Sequence, residues 1–330
     1  MKSSRWKRLA IRFAILLVIL LIASELFARF YLGLGDPPLM IHDSKIEYMF
    51  KPSMTYHRFG NLIRYNQWSM RSDDFPEKKG DSREFRILVV GDSVVNGGSQ
   101  TDQSKLATSI LQNRLHDELN RPVVVGNISA GSWGPPNQLA YIDRFGVFDA
   151  DAVAIVFSSH DAADVPTFAP FGADAPEHSP ILALQEIVQR YRPIVMQKLG
   201  LAGTSPGNAK SPRDPLDEKD RDESLADVRT LVEKIKNAGI PVVVFLHFER
   251  DESIDNPYPG HDDLQKAVQS CGVEVRQLGP AFRKEIELGH NPYRDSIHPN
   301  DVGQKVMEQA IEAWVMEVMK AKSPTTQPVE

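Results

Sequence analysis

The sequence has a single cysteine, Cys271, among its 330 residues. One thiol excludes an internal disulfide and a cysteine-ligated metal cluster. Basic runs are also missing after the first dozen residues, and the net charge is −6, so nothing indicates a nucleic-acid partner. The chain does have 42% apolar residues, which is enough for one sizeable core with further segments attached to it.

The amino terminus combines basic charge with an apolar run. Five basic residues precede the uncharged stretch 13–24, namely Lys2, Arg5, Lys7, Arg8 and Arg12. Counted as a helix, residues 9–28 provide about 20 residues and roughly 30 Å, the thickness of a bilayer core. Because basic flanks stay cytoplasmic, we predict a cytoplasmic segment at 1–8, a membrane anchor at 9–32 and an extracytoplasmic remainder.

A cleaved signal peptide is the alternative, since the apolar stretch also has the length of a signal-peptide core. A cleavage site needs small residues, but Leu26 stands third from the end of a peptide finishing at Ala28, and Ile22 in one finishing at Ser24. We therefore favour an uncleaved anchor. Both interpretations place the rest of the chain outside the cytoplasm.

Two short motifs lie near opposite ends of the remaining sequence. Gly91-Asp92-Ser93 follows an apolar run, residues 85–90, that is typical of a buried parallel strand. Asp295 and His298 stand three positions apart in an Asp-x-x-His-Pro motif, before the amphipathic segment 302–319. A serine hydroxyl becomes nucleophilic when a base takes its proton, and an acidic side chain must orient that base. Ser93, His298 and Asp295 could supply these three roles.

Together the two motifs resemble those of the SGNH hydrolases, also called the GDSL esterases and lipases. The resemblance implies an α/β fold, a three-layer α/β/α and flavodoxin-like domain of about five parallel strands over residues 85–322. It also implies that Ser93, Asp295 and His298 are the catalytic triad. The expected site lies at the carboxyl ends of the strands.

The resemblance further assigns an oxyanion hole. Its backbone donors would be the N–H groups of Ser93 and of Gly131, with Gly134 as a second choice for the latter. The family has Gly-x-Asn-Asp in its third block, whereas this chain has Ser-Ser-His-Asp at 158–161, so His160 stands where the asparagine donor is expected. An imidazole can still donate a hydrogen bond.

The pattern between the two motifs alternates strand and helix, which independently favours a parallel sheet covered by helices. The predicted strands cover residues 85–90, 123–125, 152–157, 242–246 and, at an edge, 273–276. The predicted helices cover residues 106–119, 138–145 and 225–238. A glycine- and proline-rich turn is predicted at 127–136.

Three segments fall outside this alternation. Residues 33–84 are predicted to be a lead-in that packs on the main domain, with two strands meeting at Gly60-Asn61; whether Arg64, Asn66 or Arg71 reach the site is left open. Residues 164–224 form an insertion, either a lid or partner surface or a simple decoration. It contains a helix at 181–199 and a charge run at 217–223 that is solvated or disordered. The tail, 323–330, is predicted to be disordered.

A metal site would need converging ligands, for which His160, Asp161, His247, Asp295 and His298 are the candidates. Their spacing matches no compact ligand pattern such as His-Glu-x-x-His. We predict no metal and no cofactor, although a zinc site assembled from separate strand ends would leave no such pattern.

We predict a serine-dependent hydrolase of O-acylated, most simply acetylated, carbohydrate or of another ester outside the cytoplasm. One alternative is an O-acetyltransferase that modifies an envelope or exported polysaccharide, because hydrolysis and transfer use the same residues. A second alternative is a catalytically silent anchored scaffold, suggested by the altered third block. The retained triad argues against it. The expected partners are the ester substrate and a membrane; protein partners are not identified by the sequence.

Overall fold

The structure, a computed structural model, describes residues 2–170, 176–198 and 213–322. It begins with helix α1 (Lys2–Leu26), which continues into a π-helical turn, Phe27–Tyr31. Within the described residues, one helical stretch, Arg5–Tyr31, is long and apolar enough to cross a membrane, and its apolar window is not buried in the protein. Length and composition are thus compatible with either an anchor or a signal sequence.

Two antiparallel hairpins follow the long helix. The first joins β1 (Met40–Asp43) to β2 (Glu47–Phe50), and the second joins β3 (Met54–Arg58) to β4 (Asn61–Tyr65). The second hairpin turns at the predicted Gly60-Asn61 pair, with Gly60 at φ 80°. The first was not predicted. Both hairpins bury aromatic side chains against the main domain, Tyr48 and Phe50 from one and Tyr56 and Tyr65 from the other.

The main domain contains one parallel sheet of five strands in the order β6-β5-β7-β8-β9. The strands are β5 (Phe85–Gly91), β6 (Val123–Ser129), β7 (Ala152–Ser158), β8 (Val242–His247) and β9 (Glu274–Gln277). Every residue of β5 and β7 is buried, which is why these central strands appear in the sequence as continuous apolar runs. The predicted three-layer α/β/α fold is confirmed.

Helices cover both faces of this sheet. They are α2 (Ser93–Asn96), α3 (Ala107–Leu119), α4 (Pro135–Phe145), α6 (Glu218–Asn237), α7 (His261–Ser270), α8 (Gly279–Glu287) and α9 (Asp301–Lys322). A further helix, α5 (Ala183–Lys198), packs on the end of α1 instead. Residues of α4, α6 and α7 share one apolar cluster with the two hairpins, whereas α3, α8 and α9 form a second cluster on the other face. Helices α7 and α8 were not predicted.

One of two predictions on segments next to the sheet needs correction. Strand β6 continues to Ser129, although a turn was predicted from residue 127. Its polar side chains are satisfied inside the protein, for example by the Asn127 Nδ2 donation to the Val95 carbonyl at 3.0 Å. The charge run 217–223, predicted to be solvated or disordered, is solvated: it forms the exposed start of α6, which Asp217 caps by accepting from the N–H groups of Lys219 and Asp220.

Helix α5, in the insertion, contacts the end of α1. The Glu25 carboxylate accepts hydrogen bonds from the first N–H groups of α5, those of Ala183 at 2.8 Å and Leu184 at 3.0 Å. A buried ion pair between Arg58 and Glu186 adds a link to the second hairpin. Residues 171–175 and 199–212 of the insertion lie outside the described residues. So does the tail 323–330, for which disorder was predicted.

Candidate active site

A tight turn places Ser93 at the carboxyl end of the central strand β5. A Cβ atom on Gly91 would lie 2.5 Å from Val95 Cγ2, so a glycine is needed for the chain to turn back this closely. Asp92 then caps the short helix α2, its Oδ1 accepting from the Val94 N–H at 2.8 Å. Ser93 is the first residue of that helix and is partly exposed at the edge of the sheet.

The structure brings the three predicted triad side chains together. His298 Nε2 lies 2.9 Å from Ser93 Oγ, and His298 Nδ1 lies 2.8 Å from Asp295 Oδ2 and 2.9 Å from Asp295 Oδ1. A hydroxyl, an imidazole and a carboxylate thus form one hydrogen-bonded chain. This is the arrangement in which a histidine can remove the serine proton.

Asp295 is held as a carboxylate. Partial burial would raise its pKa, but hydrogen bonds from the backbone N–H groups of His298 and Ile297 and from the His298 ring lower the pKa to about 2. Because the carboxylate only accepts, His298 Nδ1 carries its proton toward Asp295. The free lone pair is then on Nε2, which faces Ser93.

Three side chains whose role here the sequence does not predict hold the His298 loop in place. His247, at the end of β8, donates from Nε2 to the Ile297 carbonyl at 2.8 Å, and Arg250 donates to the Asp295 carbonyl at 2.6 Å. Arg294 reaches the loop after Ser93, with 3.3 Å to the Gly97 carbonyl. His247 is fully buried, and burial lowers its pKa, so its role here is that of a neutral donor rather than a metal ligand.

The two backbone N–H groups predicted for the oxyanion hole, those of Ser93 and Gly131, differ from that of the alternative, Gly134, in whether they already donate a hydrogen bond. Among the described residues we find no acceptor for the N–H of Ser93 or of Gly131. The Gly134 N–H donates to Asn137 Oδ1 at 3.0 Å at the start of α4, so it is already used. The next N–H after Gly131, that of Ser132, donates to the Tyr48 hydroxyl at 2.9 Å. This bond fixes the loop and leaves Gly131 as the better candidate.

His160 lies beside the residue that precedes the serine. Its Nε2 is 3.4 Å from Asp92 Oδ2, and 40% of its side chain remains exposed. Burial of the rest would lower its pKa, but the carboxylates of Asp161 and Asp92 outweigh that effect and raise the pKa to about 10. A protonated imidazole has N–H donors on both nitrogens. One can therefore face Asp92 while the other is available to a substrate.

Replacing His160 tests this donor. We expect His160→Ala to lower kcat/KM for an ester by about 100- to 1,000-fold, the usual cost of losing an oxyanion donor. The wild-type rate should also fall as the pH rises through about 10, where the imidazolium loses its proton, and this step should be missing in His160→Asn. Rates measured from pH 7 to 11 check both points.

His116→Asn is the matched control, because His116 is exposed on α3 in the outer layer. If the fall in rate at high pH were the same in His160→Asn as in the wild type, His160 would not be the group that causes it, and its role as an oxyanion donor would be contradicted.

The same corner holds the closest approach to a metal-ligand arrangement in the described residues. Ligand atoms of Asp92, His160 and Asp161 lie within 4.8 Å of one another. The His160 nitrogen faces a carboxylate oxygen directly, as in an ion pair. We therefore assign the cluster to ion pairing. His247, Asp295 and His298 do not join this group.

The lead-in hairpins contact the loops that carry the candidate donors. Arg71 is fully buried and its guanidinium donates to the carbonyls of Asn96, Gly98 and Thr101, in the loop that follows Ser93. The question left open by the sequence is thereby answered for Arg71, which supports the site without lying in it. Arg64 instead pairs with Asp73, and Asn66 orders its own turn by accepting from the N–H groups of Trp68 and Met70.

Arg71→Met should destabilise the fold and impair the site. Two buried carbonyls and one partly buried carbonyl lose their donor together, which we expect to lower the free energy of unfolding by about 3 kcal/mol. Chemical denaturation of the two proteins in the same detergent measures this. Arg83→Met, at a side chain with 72% exposure, should change stability by less than about 0.5 kcal/mol. Equal midpoints for the two variants would refute the supporting role of Arg71.

Three solved structures illustrate what the chain resembles. An acetyl-xylooligosaccharide esterase from Geobacillus has 14% identity and a TM-score of 0.43, over 71% of this chain and 94% of that one. An esterase from Pseudoalteromonas has 14% identity and a TM-score of 0.40, over 70% and 98%. A two-domain esterase active on acetylated mannans has 11% identity and a TM-score of 0.45, over 74% and 52%.

At the level of sequence, no curated protein matches the chain. Residues 89–306, however, match the GDSL-like lipase/acylhydrolase family. The match covers most of the main domain and includes the serine, the third block and the Asp-x-x-His motif. The chain belongs to the GDSL-like lipase/acylhydrolase family and is an ester-bond hydrolase of that family.

Proposed function

We propose that this protein is a membrane-anchored serine esterase that removes small acyl groups, most simply acetyl, from O-acylated carbohydrate outside the cytoplasm. The observation that carries the catalytic part is the 2.9 Å contact between His298 Nε2 and Ser93 Oγ. It joins two motifs that are separated by most of the domain in sequence. The family match to acylhydrolases agrees with it.

In the proposed mechanism Ser93 Oγ attacks the ester carbonyl while His298 Nε2 takes its proton. Asp295 stabilises the imidazolium that forms. The N–H groups of Ser93 and Gly131, together with the His160 side chain, donate to the developing oxyanion. His298 then protonates the leaving alcohol, and water attacks the acyl-serine by the same route to release the acid.

The surroundings of the serine favour a small acyl group and a polar alcohol. The Tyr48 hydroxyl lies beside Gly131, at an ordinary contact distance of 3.6 Å from where a Cβ would stand. A cleft at His160 is lined largely by carboxylates and prolines. A long acyl chain would need an extensive apolar surface instead. Carbohydrate esters satisfy both conditions.

The extracytoplasmic location is proposed from the amino terminus. Its basic flank, apolar helix and lack of a small-residue cleavage site support a single-pass anchor with the catalytic domain on the far side. Fusing a reporter enzyme that is active only outside the cytoplasm to the carboxyl terminus tests the orientation. An active reporter in the membrane fraction supports it; an inactive reporter or a shortened, soluble product contradicts it.

One assay tests the reaction and separates hydrolysis from acetyl transfer. The full-length protein in detergent is incubated with an aryl acetate, with and without an oligosaccharide acceptor. Hydrolysis predicts stoichiometric free acetate in both reactions. Acetylated oligosaccharide with little free acetate would instead establish the transferase alternative, and no turnover of any acetyl ester would contradict the proposal.

A further inference from the structure

The three most exposed large apolar side chains of the described residues come from two segments that the structure brings together. Ile181 is 87% exposed, Phe30 79% and Tyr31 73%. Phe30 and Tyr31 end the π-helical turn after α1, and Ile181 stands two residues before α5. Single exposed apolar side chains are ordinary on a protein surface, but a group of them marks an interaction site.

Hydrogen bonds place Ile181 beside the last turns of α1. The Arg29 guanidinium donates to the Ile181 carbonyl at 2.9 Å, and the Ala183 N–H donates to the Glu25 carboxylate at 2.8 Å. Arg29 and Glu25 also form an ion pair with each other at 2.9 Å. Both charged groups therefore have partners within the protein, whereas Ile181 and the adjacent Leu182 remain exposed at the level of this ion pair.

The tip of the second hairpin reaches the same end of the helix. The Phe59 N–H donates at 2.9 Å to the carbonyl of Leu32, the first residue after the π-helical turn. Phe59 is exposed and has a φ of 52°. This left-handed conformation favours glycine or asparagine, so the turn itself does not explain an exposed phenylalanine ring. Three segments thus expose apolar side chains around the end of α1.

The junction beneath these side chains is packed. Ala28, Leu34 and Ala183 are buried together in a small apolar cluster. Glu186 of α5 forms a buried ion pair with Arg58 of the second hairpin. The end of α1, the hairpin and the start of α5 therefore form one packed unit, which holds the exposed side chains in fixed positions relative to α1.

The predicted span indicates the depth of this unit in a membrane. The bilayer core is expected at residues 9–28, so Glu25 and Arg29 belong to the outermost turns of the span, at the level of the headgroups. Segments that are bonded to this pair lie at the same level. Their exposed apolar surface is continuous with that of α1, whose own side chains are also exposed, as at Leu17. This continuity favours lipid as the occupant over a separate protein.

We propose that five side chains form a collar that inserts into the outer interface of the bilayer spanned by α1, namely Phe30, Tyr31, Phe59, Ile181 and Leu182. Aromatic side chains favour this level of a membrane. The apolar side chains of interfacial segments enter about 5 to 10 Å into the boundary between headgroups and acyl chains. The proposal rests on the membrane anchor proposed above. It adds that the catalytic domain is docked on the membrane in one orientation, instead of being attached through a flexible linker.

Spin labels measure the depth of the collar. The full-length protein with Cys271→Ala is placed in nanodiscs of phosphatidylcholine and phosphatidylglycerol, and a nitroxide is attached at Ile181→Cys or Phe59→Cys. Accessibility to oxygen, which partitions into lipid, is compared with accessibility to a water-soluble nickel chelate. We expect both labels about 5 to 10 Å inside the boundary. Leu17→Cys is the reference within the span, and Asp117→Cys, at an exposed position on α3, should be fully aqueous.

The outcomes separate the collar from the anchor. If the Leu17 label lies in lipid while the labels at positions 181 and 59 are as aqueous as that at position 117, the collar is overturned and the anchor stands. A Leu17 label in water would remove the anchor and the collar with it. Labels that are shielded from both reagents would show a protein contact, such as a second copy of this chain, and would also overturn the collar.

A charge introduced into the collar provides a second test. In Ile181→Asp, the Phe59→Cys label should move toward water, because a carboxylate is costly to remove from water. Ile254→Asp makes the same change at another exposed position, in the loop between β8 and α7, and should leave the label at its wild-type depth. An unchanged depth in Ile181→Asp would show that Ile181 does not insert. Unchanged unfolding midpoints establish that each variant keeps its fold.

Discussion

Ser93→Ala should lower kcat/KM for an aryl acetate by about 10,000-fold or more. The alanine removes the only atom that can carry the acyl group in the proposed mechanism, whereas His298 and Asp295 keep their positions. The remaining rate would come from substrate binding and the oxyanion donors alone. Initial rates of the full-length proteins in detergent measure the effect, and a serine-directed phosphonate followed by mass spectrometry locates the labelled residue.

Ser132→Ala is the matched control for this prediction. Ser132 is exposed on the neighbouring loop, and its backbone N–H, which the substitution keeps, donates to the Tyr48 hydroxyl. This variant should retain activity and labelling close to those of the wild type. Labelling that persists in Ser93→Ala would place the nucleophile elsewhere. A wild-type protein that is neither active nor labelled would instead favour the silent scaffold.

The sequence predicts the parts of this fold that have a local signature. Strands β5 and β7 are buried on both faces, so their sequences are apolar throughout and stand out without any tertiary information. Strand β6 was predicted too short because Asn127 and Ser129 look like turn residues. The bond from Asn127 to the Val95 carbonyl comes from a segment far away in sequence, and no local pattern announces it.

The supporting residues of the site are hidden from sequence for the same reason. Arg71, His247 and Tyr48 act by bonding backbone groups of the loops that carry Ser93, His298 and Gly131. Backbone carbonyl and N–H groups are common to almost all residue types. The sequence therefore contains no pattern that identifies these three side chains as their hydrogen-bond partners. The triad is different, since each of its members must be a specific residue type in a specific order.

The sequence at the start of α6 contains helix-start signals that the prediction for residues 217–223 did not take into account. Asp217 is a good N-cap residue, and the acidic first turn with Glu218 and Asp220 is balanced by Lys234 and Lys236 in the last turn. This is the charge distribution that stabilises a helix through its dipole. A charge run should therefore be examined for caps and charge polarity before it is interpreted as disordered.

Asp295→Asn should lower kcat by about 10,000-fold while leaving the backbone of the site in place. The amide has nearly the shape of the carboxylate and can still accept from the Ile297 or His298 N–H groups through its oxygen. It presents an NH₂ donor, however, where Asp295 now accepts from His298 Nδ1 at 2.8 Å. The ring would then hold its proton on Nε2, facing Ser93, and could no longer take the serine proton. Steady-state rates on an aryl acetate at pH 7 test this.

Asp301→Asn provides the comparison, because it makes the same change of charge six residues later, at an exposed position at the start of α9. The pKa of Asp295 is lowered to about 2, so the wild-type carboxylate stays ionised at every pH above that value and the difference between the variants should persist from pH 5 to 9. If Asp295→Asn lost no more activity than Asp301→Asn, the imidazole would need no carboxylate to orient it. His298 would then act as the base without help from Asp295, and the assignment of Asp295 to the triad would be wrong.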